Sequence, residues 1–206
     1  MIKRQPQGSA GAPESGTAGT RRRGEALEQA IFDAVIADLA ETGYDTLTME
    51  GVASRAQTGK AALYRRWSCK EDLVLDALEC KMPPLDDPPD NGSIRADLLD
   101  LLGRMADMAS SPTGCAMQYV VGSLKRNPDI AQAVYTRVIE PRQQLIIDAL
   151  RRGADRGEVR PDAVSRLVAQ VGPSMIVQKL VADGPPVTRA TVESIVDEVV
   201  MPMLRP

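Results

Sequence analysis

The chain has 206 residues, of which 43% are hydrophobic and 26% charged, so it is long and apolar enough to bury a core. It contains no histidine, which removes the commonest general base and the usual Ser-His and Cys-His nucleophile pairs. The net charge is only −3, but residues 1–70 carry 10 Lys and Arg against 8 Asp and Glu, whereas residues 71–206 carry 15 against 20.

Several classes of protein are disfavoured by patterns that the sequence lacks. No run approaches the ~18 apolar residues of a membrane span and no apolar signal core is present, so we expect a cytoplasmic protein with no membrane partner. Cys69, Cys80 and Cys115 lack metal-ligand spacing, so we expect reduced thiols and no metal site. Without a paired-acid signature, phosphate loop or cofactor motif, we expect neither an enzyme nor a cofactor.

The N-terminal part begins with residues 1–20, whose Gly, Ser, Ala, Pro and Thr content predicts a flexible tail. Apolar residues at helical spacing then predict a first helix over residues 23–41. Gly43 follows this helix, at the position where helices commonly end with a left-handed residue.

Residues 48–70, TMEGVASRAQTGKAALYRRWSCK, predict two short helices joined by a tight turn. Thr48 is placed to cap the first helix, which is predicted over residues 49–57, and the second is predicted over residues 60–67. The outward residues of the second helix are Lys60, Ala61, Tyr64, Arg65 and Arg66. This basic face suits phosphate oxygens and base edges, although on its own it is equally compatible with an ordinary solvated helix.

The run TLTMEGVASRA, the turn, GKAALYRRW and the following CKEDLVLDAL together resemble the DNA-binding domain of the TetR family of bacterial one-component regulators. The resemblance covers about residues 22–78 and implies an all-α fold. A three-helix helix-turn-helix DNA-binding domain over residues 21–69 would precede a linker helix and a helical ligand-binding and dimerisation domain over residues 70–206. The chain departs from the family at residues 57–59, where Gly-Val-Ser is common, and at Cys69, where serine is usual.

The resemblance also implies which residues contact DNA. The second helix of the motif would enter the major groove, with Lys60 and Arg65 near base edges or phosphate and Tyr64 on phosphate. Thr48 and Lys70, at helix N-termini, would position the DNA backbone. The expected DNA contacts are Arg22, Arg23, Thr48, Thr58, Gly59, Lys60, Ala61, Ala62, Tyr64, Arg65 and Lys70.

The rest of the chain is predicted to be helical. The proline-rich residues 83–92 cannot continue a helix, so the fourth helix is predicted over residues 70–81, with a domain boundary after it. The further helices are predicted over residues 94–109, 115–125, 128–155, 162–182 and 191–204, which makes about nine helices in all. Pro141 is expected to kink the seventh helix, because it lacks the N–H group of a regular helical residue.

The last two helices carry more apolar surface than one thin domain covers. In the family, two such helices and their mates from a second subunit form a four-helix dimer interface, and two-fold symmetry lets two reading helices contact two half-sites. The alternative is that these helices only pack within one chain. The expected interface residues are Leu167, Val168, Val171, Ile176, Val192, Ile195, Val196 and Val199.

A pocket for a small apolar effector is expected between helices four to eight. Flexible methionines suit bulky apolar ligands, whereas the 3% aromatic content argues against ring stacking. The candidate lining is Leu102, Met105, Met117, Val121, Tyr135, Val138, Ile139 and Met175, each of which is also compatible with plain core. The polar groups that could orient a ligand are Gln118, Arg142, Gln170 and Gln178.

The first hypothesis for function is a sequence-specific DNA-binding transcriptional regulator, namely a ligand-responsive repressor that binds a palindromic double-stranded operator as a homodimer. The alternative is a helical small-molecule-binding or protein-interaction module without specific DNA binding. This alternative predicts no salt-dependent binding to DNA and no effect of replacing Lys60 or Tyr64.

Overall fold

A computed structural model describes residues 16–85, 89–123 and 127–206, with residues 16–23 described by their backbone alone. Within these ranges the chain forms nine helices and no strand, which confirms the all-α prediction. Residues 1–15, which hold most of the predicted tail, lie outside the described residues. None of the helices in the described part is both long enough and apolar enough to cross a membrane.

The N-terminal unit consists of four helices, namely α1 (Gly16–Thr42), α2 (Met49–Arg55), α3 (Lys60–Tyr64) and α4 (Lys70–Lys81). α1 begins before the predicted residue 23 and takes up the end of the predicted tail. It is followed by Gly43, whose φ of 82° is the left-handed conformation predicted there. The Thr48 hydroxyl oxygen accepts a 3.1 Å hydrogen bond from the Gly51 N–H and caps α2, also as predicted.

α2 and α3 are shorter than predicted, because the chain leaves the helical path soon after each of them. Beyond α2, Gln57 has a φ of 52°, which no α-helix accommodates. After α3, the Arg66 N–H bonds at 2.8 Å to the Leu63 carbonyl, three residues back, and so tightens the turn. This turn carries Trp67 inward, where its ring lies 5.7 Å from that of Phe32.

The C-terminal part consists of α5 (Ile94–Ala109), α6 (Pro112–Ser123), α7 (residues 128–155), α8 (Arg166–Asp183) and α9 (residues 189–204). α4 and α5 have their predicted bounds. α8 begins four residues later than predicted, after a separate turn at Pro161–Ala163. The reason is a local cap: the Ser165 hydroxyl oxygen accepts from the Val168 N–H.

α7 contains a π-helical turn, Tyr135–Ile139, between two α-helical segments. The Glu140 N–H bonds to the Tyr135 carbonyl, five residues back. The turn lies directly before Pro141, the residue predicted to disturb this helix. Because a π turn takes up one residue more than an α turn, side chains before it are rotated relative to those after it.

The apolar faces of α1 to α4 form a first core that continues into the C-terminal part of the chain. Ala116 and Val120 of α6 and Val134 and Val138 of α7 are buried in this core. α1 packs directly against both α4 and α6. A domain division at residue 69 therefore stays a prediction, because the packing is continuous across it.

The second core lies between α5, the second half of α7, α8 and α9. Four residues predicted at a dimer interface are buried in it, namely Ile176, Val192, Ile195 and Val196. The prediction was wrong for these four residues. α5 packs against both α8 and α9 within the same chain, on the sides of these helices that carry the four buried residues.

Candidate nucleic-acid interface and internal cavity

The outer face of α3 projects into solvent. Tyr64 is 51% exposed, and neither its hydroxyl nor the Arg65 guanidinium has a hydrogen bond or ion pair among the described residues. Ala61 is exposed, and Ala62 is half-buried next to it. Leu63, on the inner side, is fully buried in the first core. The face therefore offers a phenol hydroxyl, a guanidinium and small apolar groups, which can contact phosphate, base edges and thymine methyls.

Lys60 stands at the start of this face with its ammonium 3.0 Å from the Glu50 carboxylate of α2. Both side chains are exposed. The hydrogen bond from Lys60 holds the pKa of Glu50 below its usual value, because it favours the ionised carboxylate. A DNA phosphate that takes Lys60 must compete with this carboxylate.

Thr58 and Gly59 form the turn that leads into α3. Thr58 is half-buried, whereas Gly59 is exposed and begins α3 without a side-chain hydrogen bond. A Cβ atom at Gly59 would meet nothing within 4 Å, so the space in front of this helix start is open. The first N–H groups of α3 are therefore accessible to an anion.

Thr48 and Lys70 occupy the starts of α2 and α4, as predicted, but only Thr48 is exposed. The Lys70 ammonium donates to the carbonyl oxygens of Tyr44 and Leu47, at 3.2 and 3.4 Å, and lies 4.5 Å from the centre of the Tyr44 ring. These contacts hold Lys70 beside the loop between α1 and α2. It presents a positive charge there with little freedom to move.

Three further arginines of the N-terminal unit are Arg22, Arg23 and Arg66. The side chains of Arg22 and Arg23, predicted to contact phosphate, lie outside the described residues. Arg66 turns toward α1, with its guanidinium 3.5 Å from the Gly24 carbonyl oxygen and 3.7 Å from the Glu28 carboxylate. Arg66 therefore connects the end of α3 to α1 through these polar contacts.

The inner side of this unit is fixed by Trp67. Its indole N–H donates a 2.8 Å hydrogen bond to the Asp76 carboxylate of α4, and its ring packs on Phe32 of α1. Tyr44 is also buried, and its hydroxyl donates to Glu71 at 2.8 Å. α3 is thus held from behind while its outer face stays open.

A cavity of about 430 Å³ lies between α5, α6, α7 and α8. Its volume is within the range of roughly 300–1,000 Å³ that small-molecule sites occupy. Six of the eight predicted pocket residues line it: Leu102, Met105, Met117, Val121, Val138 and Ile139. The structure thus brings most of the predicted lining together.

Two predicted lining residues, Tyr135 and Met175, do not face the cavity. Tyr135 begins the π-helical turn, which rotates it away from the face that carries Val138 and Ile139. Met175 packs against the second core, while other residues of α8 turn toward the cavity: Pro173, Ser174, Val177 and Leu180.

Sequence reasoning missed two parts of the cavity wall. One is the segment that follows α4, which consists of Met82, Pro83, Pro84 and Leu85. From its prolines, the sequence predicted only a domain boundary there. Nothing in the sequence indicates that this segment covers a cavity. The other is Gln143, which lies four residues after Ile139 and three before Ile146. That helical spacing could have identified it.

Few polar groups line the cavity. Of those weighed from the sequence, Gln118 and Arg142 line it and Gln170 and Gln178 do not. The Arg142 guanidinium donates to the carbonyl oxygens of Val138 and Pro83, at 2.8 and 3.0 Å. Burial lowers the pKa of Arg142, because the charged form is less well solvated there than in water.

The outer face of α8 carries exposed apolar side chains. Leu167, one of the predicted dimer residues, is 75% exposed, and Val181 is 71% exposed. Val168, Val171 and Val199 are half-buried. Large apolar side chains exposed along one helix commonly mark an interaction surface.

No group of three or more Cys, Asp or Glu residues is arranged to hold a metal ion in the part of the chain that the structure describes. Cys69, Cys80 and Cys115 are unpaired. The candidate functional features of the described chain are the outer face of α3, the outer face of α8 and the cavity.

Two protein-family models match the chain. The model of bacterial regulatory proteins of the tetR family matches residues 31–77, and that of the tetracyclin repressor-like C-terminal domain matches residues 88–199. The uncharacterized HTH-type transcriptional regulator Mb1581 of Mycobacterium bovis is 32% identical over 166 residues, which are 81% of this chain and 82% of that protein. The DNA-binding transcriptional repressor TetR of Mycobacteroides abscessus is 27% identical over 185 residues, 89% of this chain and 97% of that protein.

Solved structures agree with the family models. The crystal structure of the TetR family transcription regulator SCO0332 matches with a TM-score of 0.66 and 26% sequence identity, over 87% of this chain and 99% of that one. The two family models together span both the helix-turn-helix unit and the C-terminal helices. The chain therefore belongs to the TetR family of bacterial regulatory proteins, and it is a DNA-binding transcriptional regulator.

Proposed function

We propose that the protein is a ligand-responsive repressor that acts in the cytoplasm and binds a palindromic DNA operator as a homodimer. The observation that carries the proposal is the open outer face of α3, where Tyr64 and Arg65 have no partner among the described residues. The relative from Mycobacteroides abscessus is named a DNA-binding transcriptional repressor, which supports the same function here.

DNA binding would use α3 as the reading helix. Tyr64 and Arg65 project from it, and Lys60 stands at its start beside the open N–H groups. Cationic side chains that replace counterions on phosphate make such binding fall steeply with salt. Sequence discrimination would come from Arg65 and the small side chains of Ala61 and Ala62 against base edges.

Dimerisation would double this contact. Two reading helices related by a two-fold axis contact two half-sites about one helical turn or a multiple of it apart, which requires a palindromic operator. The outer face of α8, with Leu167 and Val181 exposed, is the surface we assign to the partner subunit. Burial of such side chains between identical copies favours association through the hydrophobic effect.

The effector would act through α4. The segment that follows α4 is part of the cavity wall, and the Pro83 carbonyl in it accepts a hydrogen bond from Arg142 of α7. An occupant that displaces this segment would move α4 and, through Trp67 and Asp76, the reading unit. It needs only a higher affinity for the form that does not bind DNA.

Selection of genomic DNA fragments by the purified protein at near-physiological salt, followed by sequencing, tests the proposal. We expect an enriched palindromic site with wild-type protein and with Tyr119→Ala, and its loss with Tyr64→Ala. Tyr119 is a matched control, because it is 52% exposed but lies on α6. Failure to enrich any site over a range of salt would overturn the proposal and favour a helical ligand-binding module.

A further inference from the structure

The wall of the cavity is mostly aliphatic. Its wall contains four methionines, Met82, Met105, Met108 and Met117, and most of the remaining lining is aliphatic. Among the described residues that line it there is no aromatic ring and no carboxylate. Unbranched methionine side chains adapt to flexible aliphatic shapes, and the lack of rings excludes stacking as a source of affinity.

Two arginines line this cavity, and they differ in their partners. Arg104 is neutralised by Asp100, to which its guanidinium donates two hydrogen bonds along one turn of α5. Arg142 donates only to the carbonyl oxygens of Val138 and Pro83, and no carboxylate of the described chain lies within ion-pair distance of it. Carbonyl groups satisfy N–H donors but leave the positive charge without a counterion.

The Arg142 guanidinium is also partly buried, and this burial lowers its pKa because it disfavours the charged form. A desolvated cation without an anionic partner is unfavourable, and an anion that enters the cavity relieves this. The Glu79 carboxylate, which acts on Arg142 through its charge, accepts a hydrogen bond from Arg137. An anionic ligand that enters the cavity could therefore pair with Arg142 without displacing an ion pair of the described chain.

Gln143, the next residue on α7, also lines the cavity, and its amide oxygen is buried with no hydrogen-bond partner in the described structure. A buried polar atom without a partner is rare and unfavourable. Rotating the amide by half a turn exchanges the oxygen for an N–H donor, which a carboxylate oxygen can accept. Arg142 and Gln143 would then supply donors from adjacent positions on one helix.

We propose that the effector is an aliphatic carboxylic acid, with its carboxylate on Arg142 and Gln143 and its hydrocarbon chain among the methionines. This rests on the proposed function, in which the cavity receives an effector. An ion pair formed in a mostly apolar cavity sets the orientation of the ligand. Burial of the chain supplies most of the affinity, at roughly 25 cal/mol for each Å² of apolar surface.

The test is isothermal titration calorimetry of the full-length protein near pH 7.5 with three probes that share one chain and differ in the head group: decanoate, 1-decanol and decylamine. We expect saturable binding of decanoate, weaker binding of 1-decanol, and none of decylamine. The head-group difference should be about tenfold to a hundredfold, the usual strength of hydrogen bonds to a charged group. Equal or tighter binding of 1-decanol or decylamine, or no binding of decanoate, would overturn the proposal.

Substitutions of single arginines test where the head group of the ligand binds. Arg142→Gln should weaken decanoate binding by about tenfold to a hundredfold and leave 1-decanol unchanged. Arg151→Gln is the matched control, because it removes a guanidinium of the same helix that lies outside the cavity and already has a carboxylate partner, Asp148, and it should leave the binding of both probes unchanged. A decanoate affinity that is the same in Arg142→Gln as in wild type would overturn the assignment.

Arg142→Gln also removes two hydrogen bonds to carbonyl groups, so its fold must be checked by circular dichroism. Gln143→Leu provides a second variant and should weaken decanoate binding by a few-fold without affecting 1-decanol. The result of this calorimetric test can be told apart from the result of the DNA selection. A protein that enriches a palindromic site but prefers 1-decanol keeps the proposed function and loses this ligand class, whereas one that binds decanoate but no DNA site loses the proposed function.

Discussion

Trp67 and Arg137 donate hydrogen bonds to the same carboxylate, that of Asp76 in α4. Trp67 follows α3, and Arg137 lies in the π-helical turn of α7, next to residues that line the cavity. Their distances to the two Asp76 oxygens are 2.8 and 2.7 Å. One side chain of α4 thus connects the reading unit with the ligand-binding part of the chain.

Asp76→Ala should lower the free energy of unfolding by about 1–3 kcal/mol, because it leaves the buried indole N–H of Trp67 without an acceptor. Asp76→Asn keeps an acceptor oxygen and should lower it less. Glu79→Gln is the control, since it removes the other carboxylate partner of Arg137 and leaves Trp67 satisfied. Urea unfolding measures all three, and equal losses in Asp76→Ala and Glu79→Gln would show that the Trp67 bond adds nothing.

Gln57→Gly should raise the free energy of unfolding by about 0.5–1 kcal/mol. Gln57 has a φ of 52°, a left-handed conformation that carries a penalty for residues with a Cβ atom. Glycine removes this penalty, and its greater freedom in the unfolded chain offsets part of the gain. Gln57→Ala is the control, because alanine keeps the Cβ atom. A gain in Gln57→Ala equal to that in Gln57→Gly would contradict the explanation from backbone strain.

The stability of the wild-type protein should fall as the pH rises above about 10, through Tyr44. Burial, and then the hydrogen bond from its hydroxyl to Glu71, raise the pKa of Tyr44 well above the ordinary tyrosine value of about 10. The unfolded chain therefore loses this proton at a lower pH than the folded protein does. The stabilising contribution of Tyr44 is complete below about pH 10 and is lost as the pH rises toward the pKa of the folded protein. Tyr44→Phe should make the free energy of unfolding fall less steeply with pH, by up to ~1.4 kcal/mol per pH unit. Urea unfolding between pH 9 and 11 measures it, and parallel curves would refute this role.

Glu50→Gln should strengthen operator binding by a few-fold at low salt, because it releases Lys60 from its ion pair and removes a negative charge near phosphate. The double variant Glu50→Gln with Lys60→Ala should lose this gain. Binding curves at several salt concentrations measure the effect, and Lys60→Ala alone should reduce the salt slope by about one. Unchanged or weaker binding of Glu50→Gln would show that Lys60 does not contact DNA.

Leu167→Glu combined with Val181→Glu should convert the proposed dimer to monomer, because it places charges on the exposed apolar face of α8. Ala190→Glu is the matched control, since it adds a charge at an exposed position that lies outside α8. Analytical ultracentrifugation measures the mass in solution. A dimer that survives the double substitution would move the interface elsewhere.

The helices were predictable because apolar periodicity, proline and glycine positions act within a few residues. α4 and α5 have their predicted bounds, and Gly43 has its predicted conformation. Six of eight cavity residues were also predictable, since helical spacing together with the family resemblance places them on inner faces.

The errors have a common origin, which is that periodicity shows which side chains turn inward but not what they meet. Ile176 and Val192 were predicted to meet a second subunit, but α5 of the same chain covers them. Tyr135 was placed by regular helical spacing, which the π-helical turn before Pro141 interrupts. The cover formed by residues 82–85 depends on distant contacts that no local pattern specifies.

The continuous first core has a consequence for how this protein can change in evolution or by engineering. Val138 is buried in that core and also lines the cavity, so one α7 side chain belongs to both the DNA-reading unit and the ligand site. Transplanting residues 21–69 onto another family member would leave α1 facing foreign side chains where α4 and α6 now pack. The reading unit therefore cannot be exchanged on its own, and a functional chimera would have to include the matching surfaces of α4 and α6.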